Sequence, residues 1–584
     1  MSALRFLLVL PKTPISLQGP TALKRVRTAA QAATSATPAF WYLGPERPFR
    51  AGRLMVFGSL FDRRTSARTV HIPDRVAVRI SASPAQLMDD YWGAYVAIGL
   101  DGDGSISVVR DPTGSLPCYV LETTMHFLLA SDLGTFEAAG VPAGKVQWDR
   151  LFEHLLAIDI RRAETCIERI SEIPPGSVCR FVGGHRAVSP GWNPWSFTRP
   201  SARIAPEAAP RRVRAAICAS VSALASRHRR ILVGLSGGLD SSIVCAALAA
   251  GGHDFTALTM ATSDASGDER PYARLVAAAT GADLVEHHYD ARKIDPGASA
   301  AAHLPRPGAK PFMQEIERAY AEALSAGQAD AIFTGNGGDN VFCYLHSAAP
   351  IVDAIRAAQS PAVILRTLRD MCAITQCDLL TMTRAALSSL LGRRPVSGID
   401  TSLLCTARMP VALSGALTPY LDEAPLNHPG VVGHVRLLLR IQNFIEGYDR
   451  SAFPPVVPAL LAQPIVETCL RIAPWDWCRG GINRSMAREA FEGLLPRSIL
   501  RRISKAGPES VTAAVFAACR SQLREILLGG LLREHAIIDP VEVEAALDDP
   551  ATVHGQMLYR LLDIADAEAW ARSRCARAGN TFGG

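Results

Sequence analysis

With 584 residues the chain exceeds what one hydrophobic core serves, and at ~150 residues per domain the expectation is two to four domains, two of them large. Hydrophobic residues make up 48% and charged ones 20%, which excludes a disordered chain, and a net charge of +6 spread over short groups such as Arg211, Arg212 and Arg214 excludes charge-driven nucleic-acid binding. Thirteen cysteines without a CxxC pair, the nearest being Cys372 and Cys377, predict buried reduced thiols rather than a metal site or a disulfide framework.

The apolar opening, residues 4–10, is too short to span a bilayer and lacks a small-residue cleavage pattern after it. It predicts a first β-strand in a cytoplasmic protein with no membrane partner. Further β-like runs at 91–100, 105–110, 118–122 and 127–130 make residues 1–195 a β-rich domain. Pro194, Pro200, Pro206 and Pro210 break both helix and ladder, so 196–210 is expected to be a linker. The remainder, 211–584, changes texture. An Ala-rich helix at 211–225 is followed by a strand at 231–235, a glycine turn and a helix at 241–250. A strand at 256–260, a helix at 269–280 and strands at 283–286 and 331–334 come next, and the chain is mostly helical after residue 348. Strands alternating with helices predict a parallel sheet covered on both faces.

The chemistry concentrates in Ile231-Leu-Val-Gly-Leu-Ser-Gly-Gly-Leu-Asp-Ser-Ser242, where a buried strand runs through glycines and hydroxyls into a helix. Gly234, Leu235, Ser236, Gly237, Gly238, Asp240, Ser241 and Ser242 are the candidate contacts to a phosphate. Uncommitted backbone amides and the helix dipole favour an anion there, and Gly237 and Gly238 let the backbone come close. Asp240 has the wrong charge for an anion, and its sensible role is to hold Mg2+ between carboxylate and phosphate oxygens. Asp339 follows a second strand and glycines, on the same sheet edge, and two carboxylates there could share the metal.

This string resembles the pyrophosphate loop of the ATP pyrophosphatases, and its surroundings are similar to the asparagine synthetase family. The segment Asp268-Glu-Arg-Pro-Tyr-Ala273 is similar to that family's acidic-Tyr-Ala stretch, Met260 falls where its adenine pocket lies, and Thr334-Gly-Asn-Gly-Gly-Asp339 resembles its second glycine motif, with Gly335 and Gly337 in the nucleotide site. Arg502-Ile-Ser-Lys-Ala-Gly-Pro-Glu-Ser510 resembles the family's lysine loop, which implies that Lys505 contacts phosphate and then steadies the oxyanion formed on amine attack. The runs Trp92-Gly-Ala-Tyr-Val96, Arg110-Asp-Pro-Thr-Gly114, Ala130-Ser-Asp132, Pro174-Pro-Gly176 and Trp192 look like landmarks of the family's Ntn-type glutaminase domain. That family hydrolyses glutamine with an N-terminal cysteine, whereas residue 2 here is Ser and the first cysteine is Cys118, so the resemblance implies an inactive scaffold.

Without that ammonia source the nucleophile is expected to arrive on the substrate. Asparagine synthetase-like proteins lacking the cysteine include β-lactam synthetase and the lasso peptide cyclases, and residues 335–350 and 458–467 look like the latter. The resemblance implies an ATP- and Mg2+-dependent ligase that adenylates an Asp or Glu side chain of a lasso precursor core peptide and joins it to the peptide's N-terminal amine. It also implies a leader peptidase and a leader-binding protein as partners. Glu446 lies about where β-lactam synthetase keeps a glutamate that assists amine deprotonation, and it reads equally as a helix-surface charge; Asn336, at the other acid/base position, cannot serve. The alternatives are an ammonia-using or ring-closing enzyme of small metabolites, and a nonenzymatic nucleotide-binding scaffold.

Overall fold

The computed structural model describes residues 3–12, 31–32, 39–44, 47–101, 104–141, 144–262, 267–327, 329–392, 399–409, 423–425, 427–503, 509–549 and 555–580. The fold is α/β: a β-rich first part of two antiparallel sheets, then a five-stranded parallel sheet with helices and a largely helical remainder. The first strand, Arg5–Pro11, sits between Ala39–Leu43 and His126–Ala130 and is buried on both faces. Its period of two explains this. Phe6, Leu8 and Leu10 point into the core between the two sheets, where they join Phe57, Val96 and Cys118. Leu7 and Val9 point the other way, into a cluster built from the helix Trp148–Leu156 and, far along the chain, Leu561, Leu562 and Trp570.

Phe61 and Trp92 of the second sheet likewise belong to the core of the following domain. The two parts therefore share apolar cores, and the Pro-rich join is packed rather than loose. Trp195 is buried at the head of a short helix, Trp195–Thr198. Pro210, expected to interrupt the chain, instead occupies the first turn of the helix Ala209–Ala225, where its missing N–H has no intrahelical role.

The parallel sheet has the strand order Asp283–His288, Phe255–Ala261, Ile231–Gly234, Ala331–Thr334, Val456–Pro458. From Ile231–Gly234 the chain adds two strands on one side and then crosses to add Ala331–Thr334 and Val456–Pro458 on the other. The order reverses between Ile231–Gly234 and Ala331–Thr334, and ligand crevices of open α/β sheets form beyond the carboxyl ends of strands at such a switch point. Both glycine motifs emerge there. The sequence reading missed the three-residue edge strand Val456–Pro458 and the amphipathic helix Met313–Ser325 that covers one face of the sheet. No helix among the described residues is long and apolar enough to cross a membrane. The thirteen cysteines are free thiols; eight are buried as expected, but Cys377 and Cys575 are exposed and three others half-buried.

Candidate active site at the sheet switch point

The helix after the first glycine turn, Leu239–Ala250, starts at Gly238 without a side-chain cap, leaving its first amides facing the turn. Around it the hydroxyls hold the loop's shape. Ser242 Oγ donates to the Gly238 carbonyl at 2.7 Å, and the Ser236 amide donates to Ser241 Oγ at 3.2 Å. Leu235 plays a different part from the one its place in the motif suggests. It is 1% exposed and its amide donates to the Leu258 carbonyl at 2.8 Å, so it braces the loop from the neighbouring strand instead of offering that amide to a ligand. Met260, half-buried on that strand, packs with Leu258 and Tyr320.

The second glycine motif lies directly against this helix start. A Cβ on Gly335 would stand 2.5 Å from the Ser241 nitrogen, and one on Gly338 would stand 2.3 Å from Asp240 Cγ. Only glycine permits that approach. Gly337, at φ +90°, turns the chain back over Leu461. The result is the meeting of carboxylates that the sequence suggested: Asp240 and Asp339, 99 positions apart in the chain, converge on one nitrogen.

That nitrogen belongs to Arg484, which the sequence reading did not single out. Its Nη1 donates to Asp240 Oδ2 at 3.0 Å and to Asp339 Oδ1, while its guanidinium lies 5.1 Å from the Tyr344 ring centroid. Arg484 holds a left-handed backbone, φ +56°, at the head of the helix Ser485–Ala490, and its Nε donates to Asn483 Oδ1. Burial works against its charge, but Asp240 and Asp339 more than offset this and raise its pKa. Arg488, one turn on, is pulled down to about 10 by burial and by the Arg484 charge. Mg2+ commonly takes one or two carboxylates and fills its remaining positions with phosphate oxygens and water, and Asp240 and Asp339 would be the carboxylates to hold it, though in this structure both are paired with Arg484.

Lys505 lies outside the described residues. The stem that leads to it is well fixed: Arg502 pairs with Glu269, donates to the Gly237 carbonyl at 3.4 Å and stacks 3.6 Å over the Tyr272 ring. The acidic-Tyr-Ala segment, the phosphate loop and the lysine loop are thus joined through one guanidinium.

Glu446 requires a correction. Its Oε1 accepts from Arg161 at 2.6 Å and Arg110 at 3.3 Å, and its Oε2 accepts from the Tyr119 hydroxyl. All three donors come from the β-rich domain. A carboxylate held by two guanidiniums and a phenol is not a free base for an amine, nor is it a helix-surface charge. It is one member of a buried interdomain cluster in which Glu172 accepts from Arg110, Arg161 and Arg306. Asn336 is nearby in the second motif, and its amide donates to the Phe444 carbonyl at 3.3 Å.

A glycine-lined turn into a helix, with two carboxylates beside it at the switch point of a parallel sheet, is where open α/β folds bind their ligands. The chain belongs to the asparagine synthase family, which matches residues 212–395 and 456–572, just over half its length. This is a family of ATP-dependent carbon–nitrogen ligases. No curated protein matches significantly by sequence. Among solved structures, the glutamine phosphoribosylpyrophosphate amidotransferase from B. subtilis complexed with ADP and GMP is 10% identical, with 49% of this chain and 59% of that chain covered at a TM-score of 0.19. The allosteric regulatory enzyme of purine biosynthesis is 9% identical, with 54% and 82% covered at a TM-score of 0.20.

The contact between the two glycine motifs is itself open to test. Gly338→Ala places a methyl where Asp240 Cγ now lies and must push the carboxylate aside. A displacement of about 1 Å at a reacting centre costs on the order of 100-fold in rate. Carboxylate-dependent pyrophosphate exchange should fall by that order while the circular dichroism spectrum stays native; exchange at the wild-type rate would mean that the motifs need not touch.

Proposed function

We propose that this chain activates a carboxylate as its acyl adenylate and transfers the acyl group to an amine on the same peptide, closing an isopeptide macrolactam of the lasso type with release of AMP and pyrophosphate. The observation that carries the ligase chemistry is the convergence of Asp240 and Asp339 beside the phosphate loop. When bound there, Mg2+ would be held by these two carboxylates and would neutralise phosphate charge. The chain's own contribution is the loop's amides, which orient the phosphates, and Arg484 and Lys505, which carry positive charge toward the leaving group and the oxyanion.

The peptide reading is supported by the likeness of residues 335–350 and 458–467 to lasso cyclases. It is also favoured by the state of the cysteines in the β-rich domain. Cys118, Cys166 and Cys179 are all buried, and burial pushes each thiol above its ordinary value, so none is poised to hydrolyse glutamine. In this reading the β-rich domain is a scaffold, the amine comes with the substrate, and a leader peptidase and a leader-binding protein deliver the core peptide.

The test supplies purified protein with MgATP and a core peptide that has a free N-terminus and one internal Asp or Glu. Formation of AMP and pyrophosphate in step with a peptide lighter by one water supports the reading, and blocking either the amine or the carboxyl should stop ring closure. ADP as product would overturn the adenylation step. Turnover of free aspartate with ammonia, but not of peptide, would replace the peptide by a small acid.

A further inference from the structure

A cleft of about 500 Å³ opens between the two domains, on the flank of the edge strand Val456–Pro458 and away from the phosphate loop. Its floor on the β-rich side is formed by Gly58, Ser59, Gly93 and Ala94. The opposite wall is rich in cations. Arg227, Arg229 and Arg450 line it, Arg68 joins them from the β-rich domain, and Asp330 is the one carboxylate in the lining among the described residues. Asp330 already accepts the backbone amides of Arg229 and Arg230 at 3.0 and 3.3 Å.

Arg450 stands apart from the other three. Its carbonyl accepts the Ala3 amide and its Nε donates to the Leu4 carbonyl at 3.2 Å, which fixes the guanidinium at the root of the first strand. Its two terminal nitrogens donate to no described residue and it forms no ion pair among them. The nearest carboxylates are committed elsewhere: Asp132 is held by both Nε and Nη2 of Arg5, and Glu446 by Arg161 and Arg110. Burial depresses the Arg450 pKa, with Asp132 and Glu446 only partly offsetting this. A half-buried guanidinium whose fork meets no described residue fits a planar anion that can take two hydrogen bonds side by side.

We infer that this cleft is a carboxylate-binding site in which Arg450 holds the carboxylate of an amino-acid-sized ligand and the neighbouring arginines attract it. The cation comes from the second domain's loop into the edge strand, so an occupant would touch both domains at once. A free dicarboxylate and the C-terminal carboxylate of a peptide share the chemistry, and the cleft has room for either.

Calorimetric titration of the full chain without ATP separates these sources. Glutarate, a short N-acetylated peptide acid and inorganic phosphate are compared with glutaramide and the same peptide as its C-terminal amide, which keep size and lose charge. At least one of the two acids should bind, and its neutral counterpart at least tenfold more weakly. Binding of the peptide acid alone assigns the site to a chain terminus, and binding of glutarate assigns it to a small acid. Arg450→Gln, which can still donate to Leu4, should weaken the acid at least tenfold. Ala94→Leu, which fills the cleft and leaves Arg450 in place, should do the same, so the inference does not depend on one substitution folding. Equal binding of acid and amide, phosphate as strong as either acid, no binding of either acid, or binding unchanged in both variants would each overturn it.

Discussion

Asp240→Asn and Asp339→Asn, made separately, should each reduce carboxylate-dependent pyrophosphate exchange by about a thousandfold or more. Each change removes one of the two carboxylates that meet at Arg484 beside the phosphate loop. Loss of charge stabilisation worth several kcal/mol at the phosphates corresponds to that many decades of rate. The fold should persist, because Arg484 keeps a partner in either single variant. The double variant differs. It leaves a buried guanidinium with no carboxylate on its Nη1, a far costlier state than an exposed charge, and its midpoint in urea should drop below that of both single variants. A second readout needs no turnover: Mg2+ should raise the thermal midpoint of the wild type in the presence of a nonhydrolysable nucleotide and raise that of Asp240→Asn less. Exchange within tenfold of wild type in both single variants would remove paired carboxylates from the account.

Glu172→Gln should be the most destabilising conservative change at the domain interface, at about 3–5 kcal/mol, the usual cost of breaking a buried ion pair from one side. Glu172 is 1% exposed at its side chain and accepts from Arg110, Arg161 and Arg306. Removing its charge leaves three guanidiniums facing one another across the interface with only Glu446 between them. Burial alone would raise its pKa, but Arg161, Arg110 and Arg306 hold the carboxyl far below its usual range. A carboxylate with a depressed folded-state pKa contributes stability that is fully present above its unfolded value and is lost as pH falls through the folded one. Wild-type stability should therefore decline steeply below about pH 4.5, the unperturbed value for this group, and the decline should be shallower in Glu172→Gln. Denaturant titrations from pH 3 to pH 7 measure both, and a loss under ~1 kcal/mol at pH 7 would show that the cluster does not bind the domains together. Glu446→Gln should likewise weaken the interface. A variant that instead kept full stability and closed the ring slowly near neutral pH, recovering as pH nears the amine pKa of ~8, would restore Glu446 as a base.

What the sequence disclosed of this site follows from how local each interaction is. The phosphate loop is legible because strand, glycines, hydroxyls and helix start lie within twelve consecutive residues, and each residue type has its own reason to be there. Asp339 is legible as the end of a second copy of that pattern. Arg484 gave no local sign: it lies 244 positions from Asp240 and 145 from Asp339, in an unremarkable run between two arginines. Glu446 misled for the same reason, since its partners Arg110, Tyr119 and Arg161 are some 300 residues earlier. The strand Val456–Pro458 is too short to show a period of two, and the helix Met313–Ser325 passed unnoticed between two better-marked strands. Proline content suggested a linker, but not that it is packed, which rests on the burial of Trp195 and on the place of Pro210 in the first turn of a helix.

The strand Arg5–Pro11, buried on both faces, also ties together the two ends of biosynthesis. One face packs within its own domain, but Leu7 and Val9 on the other share a cluster with Leu561, Leu562 and Trp570 of the final helix, Gln556–Asn580. Arg574 of that helix pairs with Glu137 at 2.9 Å, and Arg560 donates to the Leu155 carbonyl at 2.7 Å. Ribosomes add ~5–20 residues per second, so the first strand exists for roughly half a minute to two minutes before its last neighbours leave the exit tunnel. Through that interval the cluster that Leu7 and Val9 share with Leu151, Phe152 and Leu155 of their own domain lacks its cover from the final helix, and the core of the β-rich domain stays incomplete. Shortening the chain by its last helix should therefore cost the first domain its solubility, although the cut lies more than 500 residues away.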